Sequence, residues 1–432
     1  MIDFSLIKMV RNSRNLVDQQ LRQKIISLYK PMRWIPCFMH KWIEGGLKRT
    51  KRVPVIVEFK DGNCFASGLE ELHTHTKRKM GSNVKHEYPN MACCSAKLSY
   101  HVLENILQNT EHIKKIHFDR PIQALLDVAS PSVKANILNQ QGLTGKGVTI
   151  AVVDTGVAPH TDLTTPTNRI VAFQDFINGR TAPYDDNGHG THCAGCALGN
   201  GRASNGKYKG MAPEAHLVGV KVLDRNGSGF LSTLIAGVEW CIQNKNQYNI
   251  KVISLSLGSQ ATQSAKDDPM VKVVEKAWNA GIVVVVAAGN EGSEQGTISS
   301  PGISPKVITV GAMNDANTID RKDDVIAKFS SRGPTIDGLI KPDLLAPGVD
   351  IISLRSNGSS LDKNMKSNRR DNDYFILSGT SMATPICAGV VAVILQQHPQ
   401  LTPDQVKDQL LSKTEDRGYP PNVQGKGYLS SI

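Results

Sequence analysis

Val148-Thr149-Ile150-Ala151-Val152-Val153 runs directly into Asp154-Thr155-Gly156. Such a run, apolar and β-branched with no polar alternation, reads as a strand buried on both faces, the kind found inside a parallel sheet. The same signature returns at 217–223, 252–257, 282–287 and 307–310, with helical spacing between them at 231–243 and 270–279. Strand and helix in alternation predict an α/β fold built on a doubly wound, mostly parallel sheet. Sheets of this type carry their sites at the carboxyl ends of the strands.

The residues at those ends are chemically pointed. Asp154 follows the first strand, and Ala288-Gly289-Asn290-Glu291-Gly292 follows the run at 282–287. Between them, Asp186-Asn187-Gly188-His189-Gly190-Thr191-His192 opens a helix of small residues. Near the C-terminus, Gly379-Thr380-Ser381-Met382-Ala383-Thr384-Pro385 precedes the apolar run 386–395. Pro385 is tolerated only in the first turn of a helix, so Ser381 sits at a helix N-terminus, where free N–H groups and the dipole favour developing negative charge. Each residue has an ordinary reading as well: Asp154 as a turn cap, His189 as a helix-start polar residue, Asn290 in a left-handed turn, Ser381 as an N-cap. The coincidence of carboxylate, imidazole, carboxamide and hydroxyl at such junctions favours a catalytic site.

Charge and cysteine content narrow the setting. Of 50 basic and 39 acidic residues, 21 and 12 fall in residues 1–127, so the net +11 belongs to the N-terminal third. The nearly neutral remainder argues against a nucleic-acid surface. The N-terminus has no uninterrupted apolar stretch, because Lys8, Arg11, Arg14 and Arg22 break it, and no run is long enough to span a bilayer. The eight cysteines are therefore expected to be reduced thiols in a cytoplasmic protein, the alternative being export by a route without a signal peptide.

Upstream of the α/β region, residues 1–51 read as a basic extension with loosely helical apolar spacing up to Pro31. It is either a membrane-surface helix or a segment docked on its own protein. Residues 52–130 read as a small α+β domain, with strands at 53–59 and 113–118, a helix over 96–108 and an extended stretch at 121–126. The third domain is 131–432.

The stretches around Asp154, His189, Ala287-Ala288-Gly289-Asn290, Ser256-Leu257-Gly258, Ala346-Pro347-Gly348 and Ser381 resemble the subtilisin-like serine proteases, in their bacterial intracellular branch. The resemblance implies a serine endopeptidase of broad specificity that hydrolyses peptide bonds through an acyl-enzyme. In it Ser381 is the nucleophile, His189 the general base, Asp154 its orienting carboxylate and Asn290 the oxyanion donor. It further implies that an extended peptide lies between Gly227-Ser228-Gly229 and Ser256-Leu257-Gly258, with Ala288 and Gly289 lining the pocket for the residue before the cut. Glu291 either favours a basic residue there or is a solvated carboxylate. The domain at 52–130 takes the place of a propeptide that chaperones folding and then inhibits. The stretch 121–126 is its inhibitory tail, and self-cleavage is expected between about Leu125 and Ser132. The partners implied are protein or peptide substrates and this propeptide.

No cofactor is needed for the chemistry. Calcium is carried by many members of the family, with Asp162 here as the candidate carboxylate; the loop 199–208 that should complete such a site has no acidic residue, leaving backbone and Asn carbonyls as ligands. The Cys193-x-x-Cys196 pair fits zinc or redox chemistry less well than core packing behind the catalytic imidazole. The intervals between motifs indicate insertions at 260–270, 314–325 and 356–373, the last carrying Lys363, Lys366, Arg369 and Arg370. An esterase would need Gly-x-Ser-x-Gly and a serine ahead of the histidine. A catalytically dead binding module would not be expected to keep all four groups.

Overall fold

The computed structural model describes residues 4–13, 16–17, 19–29, 37–77, 81–88, 92–108, 111–118 and 126–430. The chain forms two compact units, residues 1–122 and 123–432.

In the first unit, β1 (Arg52–Phe59), β2 (Asn83–Tyr88), β3 (Cys93–Ser99) and β4 (Ile113–Phe118) form one antiparallel sheet in the order β2-β3-β1-β4. Helices Gly62–Lys77 and Tyr100–Gln108 complete a split β-α-β-β-α-β arrangement. Val53, Val55, Val57 and Phe59 alternate inward along β1. The helix expected over 96–108 begins at Tyr100; residues 93–99 are instead a strand, held by its pairing with β1. That pairing is a long-range hydrogen-bond ladder, which local propensity does not register.

Residues 1–51, expected as a separate extension, share this core. Phe4, Leu6, Val10, Val17, Leu21, Ile25 and Tyr29 pack with the sheet residues, and the Ile116 N–H donates to the Leu16 carbonyl at 2.7 Å beside a Val17–Ile116 bridge. The N-terminal segment thus covers the open edge of β4. The expected tail at 121–126 falls largely outside the described residues. Leu126–Ser132 is helical.

The second unit is organised on eight strands: β5 (Thr149–Asp154), β6 (Ile170–Asp175), β7 (His216–Lys221), β8 (Ile250–Leu255), β9 (Val283–Ala287), β10 (Ile308–Asn314), β11 (Val325–Ile326) and β12 (Leu344–Pro347). Their order is β6-β7-β5-β8-β9-β10-β11, with β12 also on β10, and every pairing but β10–β11 is parallel. Five of these strands coincide with the apolar runs in the sequence. β6 escaped because it is an edge strand whose middle is part-exposed, so it carries no continuous apolar signal. From β5 the chain passes to the edge strand β6, returns inward to β7, then crosses to β8 and winds outward through β9 and β10, which puts the switch point of the sheet beside Asp154.

Helix Thr380–Gln397 runs through the core, buried from Met382 to Leu395. Among the described residues it is the one helix long and apolar enough to cross a bilayer, and here its apolar surface is covered by the protein's own sheet and helices. Of the three expected insertions, 356–373 folds into a short helix (Ser360–Asn364), a 3-10 turn (Lys366–Asn368) and a two-residue strand (Arg369–Arg370) that pairs with Tyr374–Leu377. Arg369 is not a free cation, because it and Arg355 both grip Asp362, at 2.6 and 2.7 Å.

Candidate active site

Asp154 ends β5 with its side chain fully buried. Its Oδ1 accepts the Thr155 N–H at 2.7 Å and pairs with His189 Nδ1 at 2.8 Å. His189 is the first residue of helix His189–Leu198, so its ring is delivered by a helix start to the carboxyl end of the central strand. The turn before it is fixed by Asp185. One oxygen of that buried carboxylate accepts from Thr155 Oγ1, Asn187 N and Gly188 N; the other accepts from Thr191 N and Oγ1. Lys221, fully buried at the end of β7, donates to the Thr155 and Leu223 carbonyls at 2.6 and 2.8 Å and to Asp186 at 2.8 Å. Asp185 and Lys221 therefore lock the strand end that carries Asp154 to the turn that carries His189. Neither stands out in the sequence; the only hint is an acidic pair, Asp185-Asp186, just ahead of the Asn-Gly turn.

Burial alone would lower the imidazole's pKa, but the Asp154 carboxylate holds His189 well above its usual range. Nearby Cys193 contacts Nδ1 at 3.8 Å and donates to the Ser381 carbonyl at 3.4 Å. Burial pushes that thiol up, so it stays neutral at physiological pH. Cys193 and Cys196 are both free thiols. Asp154, His189 and Cys193 lie close enough to offer three ligand atoms to a metal, but a metal there would occupy the imidazole nitrogen that Asp154 already holds.

Ser381 is the second residue of its helix. Its Oγ donates to the Ser256 carbonyl at 3.1 Å, while Ser256 Oγ donates back to the Ser381 carbonyl at 2.8 Å. Among the described residues no hydrogen bond joins Ser381 Oγ to His189. Asn290 is oriented without ambiguity. The Thr380 N–H (2.9 Å) and hydroxyl (3.1 Å) both reach its Oδ1. A backbone N–H can only donate, so the oxygen must face Thr380 and the NH₂ must face outward. Thr380, unremarked in the sequence beyond its place in the serine motif, is thus the positioning residue for this amide.

A cleft of about 660 Å³ runs past His189. It is lined by Gly227, Ser228, Gly229 and by Ser256, Leu257, Gly258, two segments outside any strand; the Gly227 N–H and the Ser228 carbonyl are turned onto Asp224, and the Ser256 carbonyl accepts from Ser381 Oγ. Ala288 and Gly289, like Asn290 and Ser381, lie outside the lining of this cleft. Ala288 is fully buried and joined by backbone bonds to Val310 and Ser299, and the Gly289 N–H donates to Thr380 Oγ1, so these two set the position of Asn290. The Glu291 carboxylate accepts from Ser299 and Ser331 hydroxyls, both at 3.2 Å, at an exposed position.

Asp162 does not fit a calcium site. Its two carboxylate oxygens accept from Ala203 N and from Tyr374 OH, each at 2.8 Å, and its carbonyl is taken by Arg169 and the Asn200 N–H. The loop expected to supply ligands supplies N–H donors instead.

The subtilase family model matches residues 145–428. The chain is 49% identical to serine protease AprX of Bacillus subtilis (strain 168), over 100% of this chain and 98% of that protein. It is 35% identical to subtilisin E of the same organism, over 87% of this chain and 88% of that one. Among solved structures, a cold-adapted subtilisin-like serine proteinase superposes with a TM-score of 0.52 at 32% identity, covering 67% of this chain and 90% of its own. Sphericase gives 0.55 at 32%, covering 66% and 92%.

Proposed function

This chain belongs to the subtilase family and is a subtilisin-like serine endopeptidase, and from that premise we propose that Asp154, His189 and Ser381 carry out its chemistry. The observation that carries this reading is the buried 2.8 Å pairing of Asp154 with His189, made by two chain segments 35 residues apart. It fixes the tautomer: Nδ1 bears the proton toward the carboxylate and Nε2 is left as the base. Ser381 Oγ leaves the Ser256 carbonyl by rotation about Cα–Cβ and gives its proton to Nε2 as it attacks the scissile carbonyl. Asp154 stabilises the imidazolium that results. The oxyanion is received by the outward Asn290 NH₂ and the Ser381 N–H at the helix start. His189 then returns its proton to the leaving amine. Water repeats the sequence on the acyl-enzyme.

Substrate selection follows from the cleft. An extended peptide lies along segments 227–229 and 256–258, which belong to no strand and line the cleft, and pairs its main chain with the backbone groups left there; this reads backbone more than side chains and supports broad specificity. The enzyme is made as a proenzyme whose residues before about 126 act as its own folding aid and inhibitor. Two observations support this: the first unit has its own core, and similarity to subtilisin E extends well upstream of residue 145. Ala129, Ser130 and Ser132 are buried in the Leu126–Ser132 helix, which favours a cut at its leading edge, near Leu125. The cytoplasm is the compartment proposed, supported by the free thiols at Cys64, Cys93, Cys94, Cys193, Cys196, Cys241 and Cys387.

A serine-directed phosphonate should label the wild-type protein, and Ser381→Ala should lose both the label and casein cleavage. A label that persists in Ser381→Ala would remove Ser381 from the nucleophile's role.

A further inference from the structure

Three backbone carbonyls converge on one side chain behind the active site. Arg169 is 7% exposed and donates to the Asp162, Leu198 and Ala215 carbonyls, the latter two at 2.8 and 3.0 Å. These oxygens come from different elements: the short helix Thr161–Thr164, the last residue of the helix that begins with His189, and the residue before β7. Three convergent carbonyls beside a buried carboxylate form an oxygen-rich pocket, and one of them is at the negative end of a helix dipole. In the dry interior the carbonyls must each receive a donor and the carboxylate favours a nearby positive charge, and a cation meets both demands at once.

We propose that the Arg169 guanidinium is that cation, a covalent stand-in for a metal ion, and that the catalytic unit consequently draws no stability from calcium at Asp162. Geometry carries the inference. A planar guanidinium has five N–H donors and can serve several carbonyls at once. Calcium would need six to eight oxygens at about 2.3–2.6 Å. Here the Asp162 oxygens already receive hydrogens from Ala203 and Tyr374, and the carbonyls receive them from Arg169. The loop itself is tied down by protein groups: the Asn200 N–H reaches the Asp162 carbonyl, Asn200 Nδ2 donates to the Thr165 carbonyl at 2.7 Å, and buried Tyr208 packs edge-on against Tyr374 at 4.6 Å. A metal could enter only by ejecting a buried arginine. The clamp matters to catalysis because it joins the far end of the His189 helix to the segment eight residues beyond Asp154.

The test is thermal melting of full-length protein in the Ser381→Ala background, which removes autolysis, in chelator and in millimolar CaCl₂. The parent should melt at the same temperature in both. Arg169→Ala opens an uncompensated oxygen cage and should melt roughly 5–10 °C lower in chelator, recovering a substantial part of the loss in CaCl₂. Arg169→Lys keeps a charge in the cage and should fall between them without a calcium response. A parent whose melting temperature drops in chelator would overturn the proposal, and this arm stands even if Arg169→Ala does not fold. The proposal would equally fail if Arg169→Ala melted like the parent, or were destabilised with no response to calcium, since Arg169 would then be an ordinary hydrogen-bonding residue.

Discussion

Asn290 can offer a substrate only its amide nitrogen, because both donors of Thr380 are aimed at its oxygen. Asn290→Ala should therefore lower kcat by about 10²–10³ with little change in KM, a magnitude carried over from the equivalent amide of subtilisin. Thr380→Val should lose part of the same factor, again in kcat, by freeing the amide to flip. His189 supplies a pH test. A base must be neutral to act, and Asp154 raises the pKa of its imidazole, so kcat/KM should climb with pH through a pKa above the ordinary 6.5. In Asp154→Asn the climb should move to lower pH and the plateau should collapse. Stability runs the other way: the Asp154–His189⁺ pair contributes fully below the unfolded imidazole pKa and is lost as pH rises through the folded one. A profile unchanged in Asp154→Asn would disconnect the carboxylate from the base.

Where elements meet, tolerances are set by backbone contacts. Gly190 follows His189, and a Cβ there would lie 2.2 Å from the Gly156 carbonyl and 3.1 Å from Asp154 Cβ. Gly190→Ala must push the helix start away from β5, so kcat/KM should fall at least tenfold, with a lower melting temperature. Wild-type activity in this variant would show that the junction is softer than its contacts imply. A second junction is the loop between β10 and β11. Burial, joined by the Asp324 carboxylate and more weakly by Asp350, pushes Asp315 up to about 7, and its Oδ2 has no hydrogen-bond partner among the described residues. A folded pKa above the unfolded one means that the native state holds the extra proton, so this group erodes stability as pH rises from about 4 to 7. Asp315→Asn should raise the melting temperature at pH 8 by a few degrees and leave it nearly unchanged at pH 4. Equal shifts at both values would point to packing, not to the charge.

Across the whole molecule the central question is whether the two units stay joined. Wild-type enzyme should lose its N-terminal portion near Leu125 as it matures, while Ser381→Ala should keep the full chain. N-terminal sequencing of fully active enzyme that begins at Met1 would reject maturation by self-cleavage. Because the helices of residues 4–50 share one core with β1–β4, deletion of residues 1–50 should unfold the first unit, not trim a tail. Circular dichroism of that truncated chain, in the Ser381→Ala background, checks this against the alternative of a dispensable extension.

The fold of the second unit was readable in the chain because strands buried on both faces need unbroken apolar runs; β5 and β7 to β10 all obey this, and the half-exposed edge strand β6 does not. Asp154, His189, Asn290 and Ser381 were readable because each sits at a glycine-marked junction, Asp154 and Asn290 just after such a run and His189 and Ser381 at the start of a helix. Tertiary structure alone decided the rest. Residues 93–99 are a strand because β1 pairs with them, and Ala288 and Gly289 are tied by hydrogen bonds to Val310, Ser299 and Thr380 beside Asn290. Asp185, Lys221 and Thr380 act on the site through hydrogen bonds spanning about 30 to 90 residues of sequence. Arg169 joins carbonyls from three separate elements. Local pattern records what a residue's immediate neighbours demand, whereas the partners of a buried donor, acceptor or charge are chosen only when distant segments close around it.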